Sequence, residues 1–174
     1  DLKVSHKDEF QLTLFACYLR GIYGDKMTVN RGKIHDYLGM DLDYTEDGVF
    51  GVSMIKYLHK IFNDFPEELG KSASSPAADY LFKVKDPEEA EYLTEELAKH
   101  FHHSVAQLLF ISCRARRDIQ TAVSFLTMRV KKPDVDDWGK LKRVLKYLRG
   151  TRHMKLRLTV DDLRMVRWWV DASH

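Results

Sequence analysis

Arg114-Ala-Arg-Arg-Asp-Ile-Gln-Thr-Ala-Val-Ser-Phe-Leu-Thr-Met-Arg-Val130, then Lys131-Lys-Pro133, then Asp134-Val-Asp-Asp-Trp-Gly-Lys-Leu-Lys-Arg-Val-Leu-Lys-Tyr-Leu-Arg-Gly-Thr151 is the stretch that decides the fold. It reads as two helices separated by a proline. In the second, Trp138, Leu141, Val144, Leu145 and Leu148 recur at helical spacing and form one apolar stripe. Asp134 is the N-cap, and Asp136 and Asp137 place negative charge at the positive end of the helix dipole. Lys146 and Arg149 sit near the negative end, and Gly150 stands where a helix stops. From Trp138 to Arg152 there are six basic side chains and no acidic one: Lys140, Lys142, Arg143, Lys146, Arg149 and Arg152. A buried stripe with a basic outer face points to a core helix that also holds a polyanion. The alternative is a solvated charged face.

Working outward, 174 residues are enough for one substantial core or parts of two. A hydrophobic content of 44% with 31% charged residues fits a globular chain rather than a disordered one. No apolar run approaches the roughly 20 residues of a membrane helix, so no membrane partner is expected. No charged n-region followed by an apolar h-region opens the chain, so no secretion signal is read. The chain starts at Asp1 without Met, as a piece of a longer protein would. With a net charge of only +2, nucleic-acid binding has to rest on clustering of charge rather than on its total. Cys17 and Cys113 both lie in apolar helical contexts and are expected to be reduced and buried.

Before the deciding stretch, Asp1 to His6 alternates like a short strand, and a helix runs from Asp8 to about Tyr23 with Phe10, Leu14, Cys17, Tyr18 and Gly21 on one side. Gly24-Asp25 is a turn and Met27 to Val29 a strand. Ile34 to Tyr44 reads as one alternating strand, Glu46-Asp47-Gly48 as a hairpin turn, and Val49 to Ser53 as the returning strand. A helix over Met54 to Phe65 ends at Pro66. Gly70 to Asp86, rich in Ser, Ala and Pro, is the linker candidate, mobile near Lys71 to Ala77. Asp86 to His100 is acidic and reads as a solvated helix or a partly ordered lead-in, and Phe101 to Ser112 as an apolar helix. After Gly150 the pattern returns to strand over Met154 to Leu158 and again over Arg164 to Asp171. His100, His102 and His103 could offer metal ligands, but no Cys or carboxylate has a closing spacing, and a solvated face is the plainer reading. Tyr147 could stack on a base or sit in the core with its hydroxyl at the rim.

The deciding stretch also resembles the segment that follows the polymerase active site in reverse transcriptases of copia-type LTR retrotransposons. The matching residues are Arg116, Asp118, Ile119, Ala122, Val123, Trp138, Lys142, Arg143, Leu145, Tyr147, Leu148, Gly150 and Thr151. Arg117 stands where that family has proline, so the pre-set first turn of its helix is lost. Gly32 to Met40 resembles a hairpin at the back of the copia palm, and Phe101 to Leu109 the helix before the Arg-Pro-Asp-Ile motif. The resemblance implies an α+β fold in three parts. Residues 1–53 would be the end of the polymerase palm, an antiparallel remnant. Residues 54–150 would be helical thumb and connection, with a linker near 70–86, and residues 151–174 the truncated start of an RNase H-like domain.

The same resemblance implies part of an RNA-directed DNA polymerase with RNase H, bound to an RNA/DNA primer–template duplex and to the rest of the Pol polyprotein, in a cytoplasmic particle and the nucleus. It makes Asp1 the second Asp of a Tyr-Val-Asp-Asp box and Asp171 the first carboxylate of RNase H, each a ligand in a two-Mg2+ site of the complete protein. Read from the residues alone, Asp1 is a surface Asp at a chain end and Asp171 a strand-end Asp capping a turn. With one carboxylate per site, the chain is expected to be inactive by itself. Two other readings stay open: a non-catalytic helical nucleic-acid-binding module, and a degenerate retroelement remnant.

Overall fold

The computed structural model describes residues 2–159 together with Asp162, Arg164 and Met165. The fold is α+β. A four-stranded antiparallel sheet in the order β1-β2-β3-β4 packs against helices, and one continuous apolar core runs between them.

The helical body is built on α5 (Val135–Gly150). Its start is fixed by a reciprocal capping box: Asp134 accepts from the Asp137 N–H at 2.8 Å, and Asp137 accepts from the Asp134 N–H at 3.2 Å. Arg129, at the end of α4 (Gln120–Arg129), donates to Asp137 at 2.9 Å and to Asp134 at 3.4 Å. Both carboxylates are buried, and these donors satisfy them. Trp138, Leu141, Val144, Leu145 and Leu148 form the buried stripe, as the spacing requires. Facing it are Phe101, Val105, Leu108 and Ile111 of α3 (Glu95–Ser112) and Leu58 and Ile61 of α2 (Ile55–Asp64).

Of the two readings of the acidic stretch, the helix holds for its last part, since α3 begins at Glu95. Thr94 caps it, accepting from Leu97 N–H, and Glu95 and Glu96 occupy its first turn, where the helix dipole favours acid. The rest of the acidic lead-in is not helical. It is tied to the start of α5 by Leu93 N–H to Pro133 O and Val135 N–H to Glu91 O. With Arg117 in place of proline, the chain makes a 3-10 turn over Arg117–Ile119 before α4 starts at Gln120.

The expected strand from Ile34 to Tyr44 is a tight hairpin of β1 (Ile34–Tyr37) and β2 (Met40–Asp43). Leu38 (φ 52°) and Gly39 (φ 76°) turn it, both in the left-handed region that a two-residue hairpin turn requires. Leu38 is the one non-glycine described residue with positive φ, which is why alternation alone passes over the turn. Gly48 closes the next turn into β3 (Val49–Ser53), as expected. The last strand, β4 (Leu156–Thr159), pairs with β3, aligning Leu42, Val52 and Leu156 across the sheet on its core-facing side. The expected boundary at residue 151 therefore does not separate two sheets: β4 shares one with the 1–53 hairpins.

Other expectations need correction. Residues 2–6 and 27–29 form no strand. The first helix, α1 (Glu9–Tyr23), is capped by Asp8 but buries none of its residues, so Cys17 is exposed, and Cys113, at the end of α3, is exposed as well. Residues 70–86 lack regular structure but are no free tether. Leu81 is buried, Lys140 donates to the Lys83 carbonyl at 2.6 Å, and Arg143 donates to Ser75 Oγ at 3.1 Å. Ser72 crosses so close to the end of α5 that a Cβ on Gly150 would lie 2.9 Å from the Ser72 Cβ. Gly150 is thus the last helical residue, needed for that crossing, and Thr151 is the C-cap. The expected left-handed stop at glycine is absent.

Two stability outcomes follow. Gly150→Ala should cost about 1–3 kcal/mol by overpacking, with most of it recovered in the Gly150→Ala/Ser72→Gly pair; chemical denaturation of the four variants measures both. Trp138→Ala should cost roughly 3–5 kcal/mol, because the indole is only 5% exposed and stacks on Phe65 with centroids 5.1 Å apart.

Candidate nucleic-acid interface

The residues singled out in the deciding stretch converge at the end of α5. Arg116, 2% exposed, lies under the last turn of that helix. It grips Asp118 with two parallel bonds, Nε to Oδ1 at 3.0 Å and Nη2 to Oδ2 at 2.7 Å. Its remaining reach goes to Thr151, with Nη1 to the carbonyl at 3.0 Å and Nη2 to Oγ1 at 2.7 Å. Thr151 Oγ1 donates in turn to the Tyr147 carbonyl at 2.8 Å. The Tyr147 hydroxyl donates to Asp118 Oδ2 at 2.8 Å, and the Arg116 guanidinium lies over the Tyr147 ring. Tyr147 is half-buried, tied to the fold by its hydroxyl and by one ring face. Burial pulls the Asp118 pKa up, but hydrogen bonds from Arg116 and Tyr147 outweigh it and hold the carboxyl below its ordinary value. Burial and then Asp118 push Tyr147 up.

The six basic side chains from Lys140 to Arg152 divide by direction. Lys140 is buried; besides Lys83 O it meets Asp137 at 3.7 Å and the Phe125 ring. Arg143 holds Ser75. These two fasten residues 70–86 to one flank of α5; Lys140 is enclosed there, whereas Arg143 is half-buried and gives one Nη to a serine hydroxyl. Lys142, Lys146 and Arg149 lie further round the helix at i, i+4 and i+7 and remain partly exposed. Lys146 and Arg149 make no hydrogen bond or ion pair among the described residues, whereas Lys142 pairs with Glu67 at 3.0 Å. Arg152 is exposed and donates to the neighbouring His153 ring. A strip of cations along one helix flank is a shape that can follow a phosphate backbone.

Glu67, just after Pro66 at the end of α2, is the residue that sequence reading misses. One of its oxygens accepts from the Trp138 indole N–H at 2.7 Å and the other from Lys142. The Lys142 bond, then the indole bond, hold its pKa below the ordinary carboxylate value against a smaller effect of burial. No local pattern marks this residue, since its partners lie more than seventy positions away.

Asp1 and Asp171 lie outside the described residues. Among the described residues no group of three or more His, Cys, Asp or Glu side chains is placed to hold a metal ion. His100 and His103 line a cleft with Asp64, which His103 approaches at 3.7 Å and to which Gln107 donates at 2.7 Å; His102 is exposed. Among the described residues no helix is long and apolar enough to cross a membrane.

The Asp118 pairing has a pH consequence. A carboxyl with a lowered folded pKa stabilises the fold fully above its unfolded value, about 3.9, and loses that contribution as pH falls through the folded value. Stability should therefore fall more steeply below about pH 4 in the wild type than in Asp118→Asn, and the two pH profiles should converge in acid. Arg116→Met should cost several kcal/mol near neutral pH, on the order of 3–5, because Asp118 loses its buried partner. Urea titrations between pH 2 and 7 measure both.

No family model matches the chain, and no solved structure matches it. It is similar to a putative transposon Ty5-1 protein of Saccharomyces cerevisiae, 26% identical over 145 residues that make up 82% of this chain and 45% of that protein. It is also similar to an uncharacterized mitochondrial protein of Arabidopsis thaliana, 28% identical over 132 residues, 69% of this chain and 47% of that protein. The chain thus spans just under half the length of each of these relatives. The relationship is to a transposon protein, and it extends well beyond the deciding stretch.

Proposed function

We propose that this chain is a piece of a copia-type retrotransposon polyprotein, the part of its reverse transcriptase that runs from the palm end through thumb and connection toward RNase H. In that role its described residues hold primer–template duplex and do no bond chemistry. One observation carries the reading. Arg116, Asp118, Tyr147, Gly150 and Thr151, which bear the resemblance, come together at the end of α5 and fix that helix while leaving Lys142, Lys146 and Arg149 along an open flank. The similarity to a transposon protein supports the same assignment.

On this reading the phosphates of an RNA–DNA hybrid lie along Lys142, Lys146 and Arg149, with Arg152 beyond the helix end. Such pairings release counterions and carry no base sequence, which suits a polymerase that must copy any template. Asp1 and Asp171 are assigned to two separate Mg2+-dependent carboxylate sets completed by the rest of the polyprotein. A single carboxylate cannot position two metal ions.

Hybrid binding should be sequence-tolerant and weaken steeply with salt. Lys142→Gln/Lys146→Gln/Arg149→Gln should lower the log–log salt slope by roughly two to three, about one for each phosphate left without its cation, with little change in thermal stability. An unchanged slope would return the flank to a solvated charged face. The chain alone should extend no primer and cleave no RNA–DNA hybrid in Mg2+ or Mn2+. Activity surviving Asp1→Asn and Asp171→Asn would overturn the assignment of those carboxylates.

A further inference from the structure

The geometry points to Glu67 as an internal competitor for phosphate. It occupies Lys142 and so sets how strongly the α5 flank holds a polyanion. This inference rests on the nucleic-acid reading above.

The indole of Trp138 is fixed by burial and by its stack on Phe65, so its N–H points in one direction. Glu67 Oε1 accepts that bond at 2.7 Å, which orients the carboxylate. Its second oxygen then faces the next turn of α5, where Lys142 (i+4 from Trp138) donates at 3.0 Å. The carboxylate is thus aimed at Lys142 by the core and does not meet it as a wandering surface charge. Lys142 is 32% exposed and Glu67 42%, so a phosphate can reach the lysine and exchange with the carboxylate. A carboxylate and a phosphate oxygen are both anionic acceptors that make charge-assisted bonds with an ammonium group. Binding through Lys142 therefore trades one ion pair for another, whereas Lys146 and Arg149 meet phosphate with no internal pair to break among the described residues. The flank carries three cations and works as two.

Glu67→Gln separates the two roles of the side chain. The amide oxygen can still accept from the indole, but the charge opposite Lys142 is gone. With a 20-base-pair RNA–DNA hybrid and the full chain, Glu67→Gln should bind several-fold more tightly at low salt. Its log–log salt slope should steepen by about one, the value for one more phosphate neutralised. Glu67→Asp, which keeps the charge, should show no such steepening. In the wild-type background Lys142→Gln should change the slope by much less than Lys146→Gln or Arg149→Gln, a comparison that does not depend on how any Glu67 variant folds. Adding Lys142→Gln to Glu67→Gln should cancel the gain.

If the wild type binds with the expected salt dependence but Glu67→Gln neither tightens nor steepens it, and Lys142→Gln costs as much as Lys146→Gln, the inference is overturned and the nucleic-acid reading stands. Binding seen in Glu67→Gln but absent in the wild type supports the inference strongly. If neither protein binds the hybrid in a salt-dependent way, the nucleic-acid reading fails and the role of Glu67 with it.

Discussion

A buried guanidinium has to have its donors met, and this requirement organises the chain. Arg116 is nearly inaccessible to water, and its charge would be costly there without partners. Asp118 and Thr151 supply them, one two residues away and the other across the whole of α4 and α5. The pairing sets where α5 ends relative to where α4 begins. At the other pole, Arg129 and the Asp134–Asp137 box fix where α4 ends and α5 begins. The two helices are thus pinned at one end by Arg116 bonding to Thr151 and at the other by Arg129 pairing with Asp134 and Asp137. Buried pairs of this kind add little net stability compared with an apolar substitute; removing one partner is what is costly.

Helix α5 was legible because its local and tertiary signals agree. The capping residues, the spacing of Trp138, Leu141, Val144, Leu145 and Leu148, and the placement of charge all point one way. The hairpin at Leu38-Gly39 is hidden from the alternation pattern, because a leucine at positive φ carries no turn signature; the resemblance of Gly32 to Met40 is what points to it. The acidic stretch before Phe101 leaves helix and lead-in open; Thr94 followed by two glutamates is the signal that marks where the helix opens. Ser, Ala and Pro describe the irregularity of residues 70–86 correctly. They say nothing of the bonds from Lys140 and Arg143 that tie the segment down, since those arrive from a helix more than fifty positions away.

The same distinction governs the candidate site. Composition counts six cations in and beyond α5, but only direction decides what each can meet. A helix spreads these cations in one arc, with Lys140 at one edge, Arg143 and Lys146 between, and Lys142 and Arg149 at the other edge, which the sequence does contain. It does not contain what covers each edge. The irregular segment happens to lie along the first, and Glu67 comes up against the second. Basic character is thus a property of the helix in sequence and of one flank in the fold.

The pairing of β3 with β4 bears on how the chain reaches its fold. Val52 and Leu156 sit side by side although about a hundred residues of helical body separate them. Bringing them together carries a large loop-closure entropy, and pairings of such sequence separation form slowly. As the chain leaves the ribosome, β3 emerges with β1 and β2 long before β4 is synthesised. Until then one side of β3 is an open edge of unpaired N–H and C=O groups, a template for strands of other molecules. Pairing with β4 covers that side of β3 only late in synthesis, and it moves the edge of the four-stranded sheet from β3 to the short β4 (Leu156–Thr159).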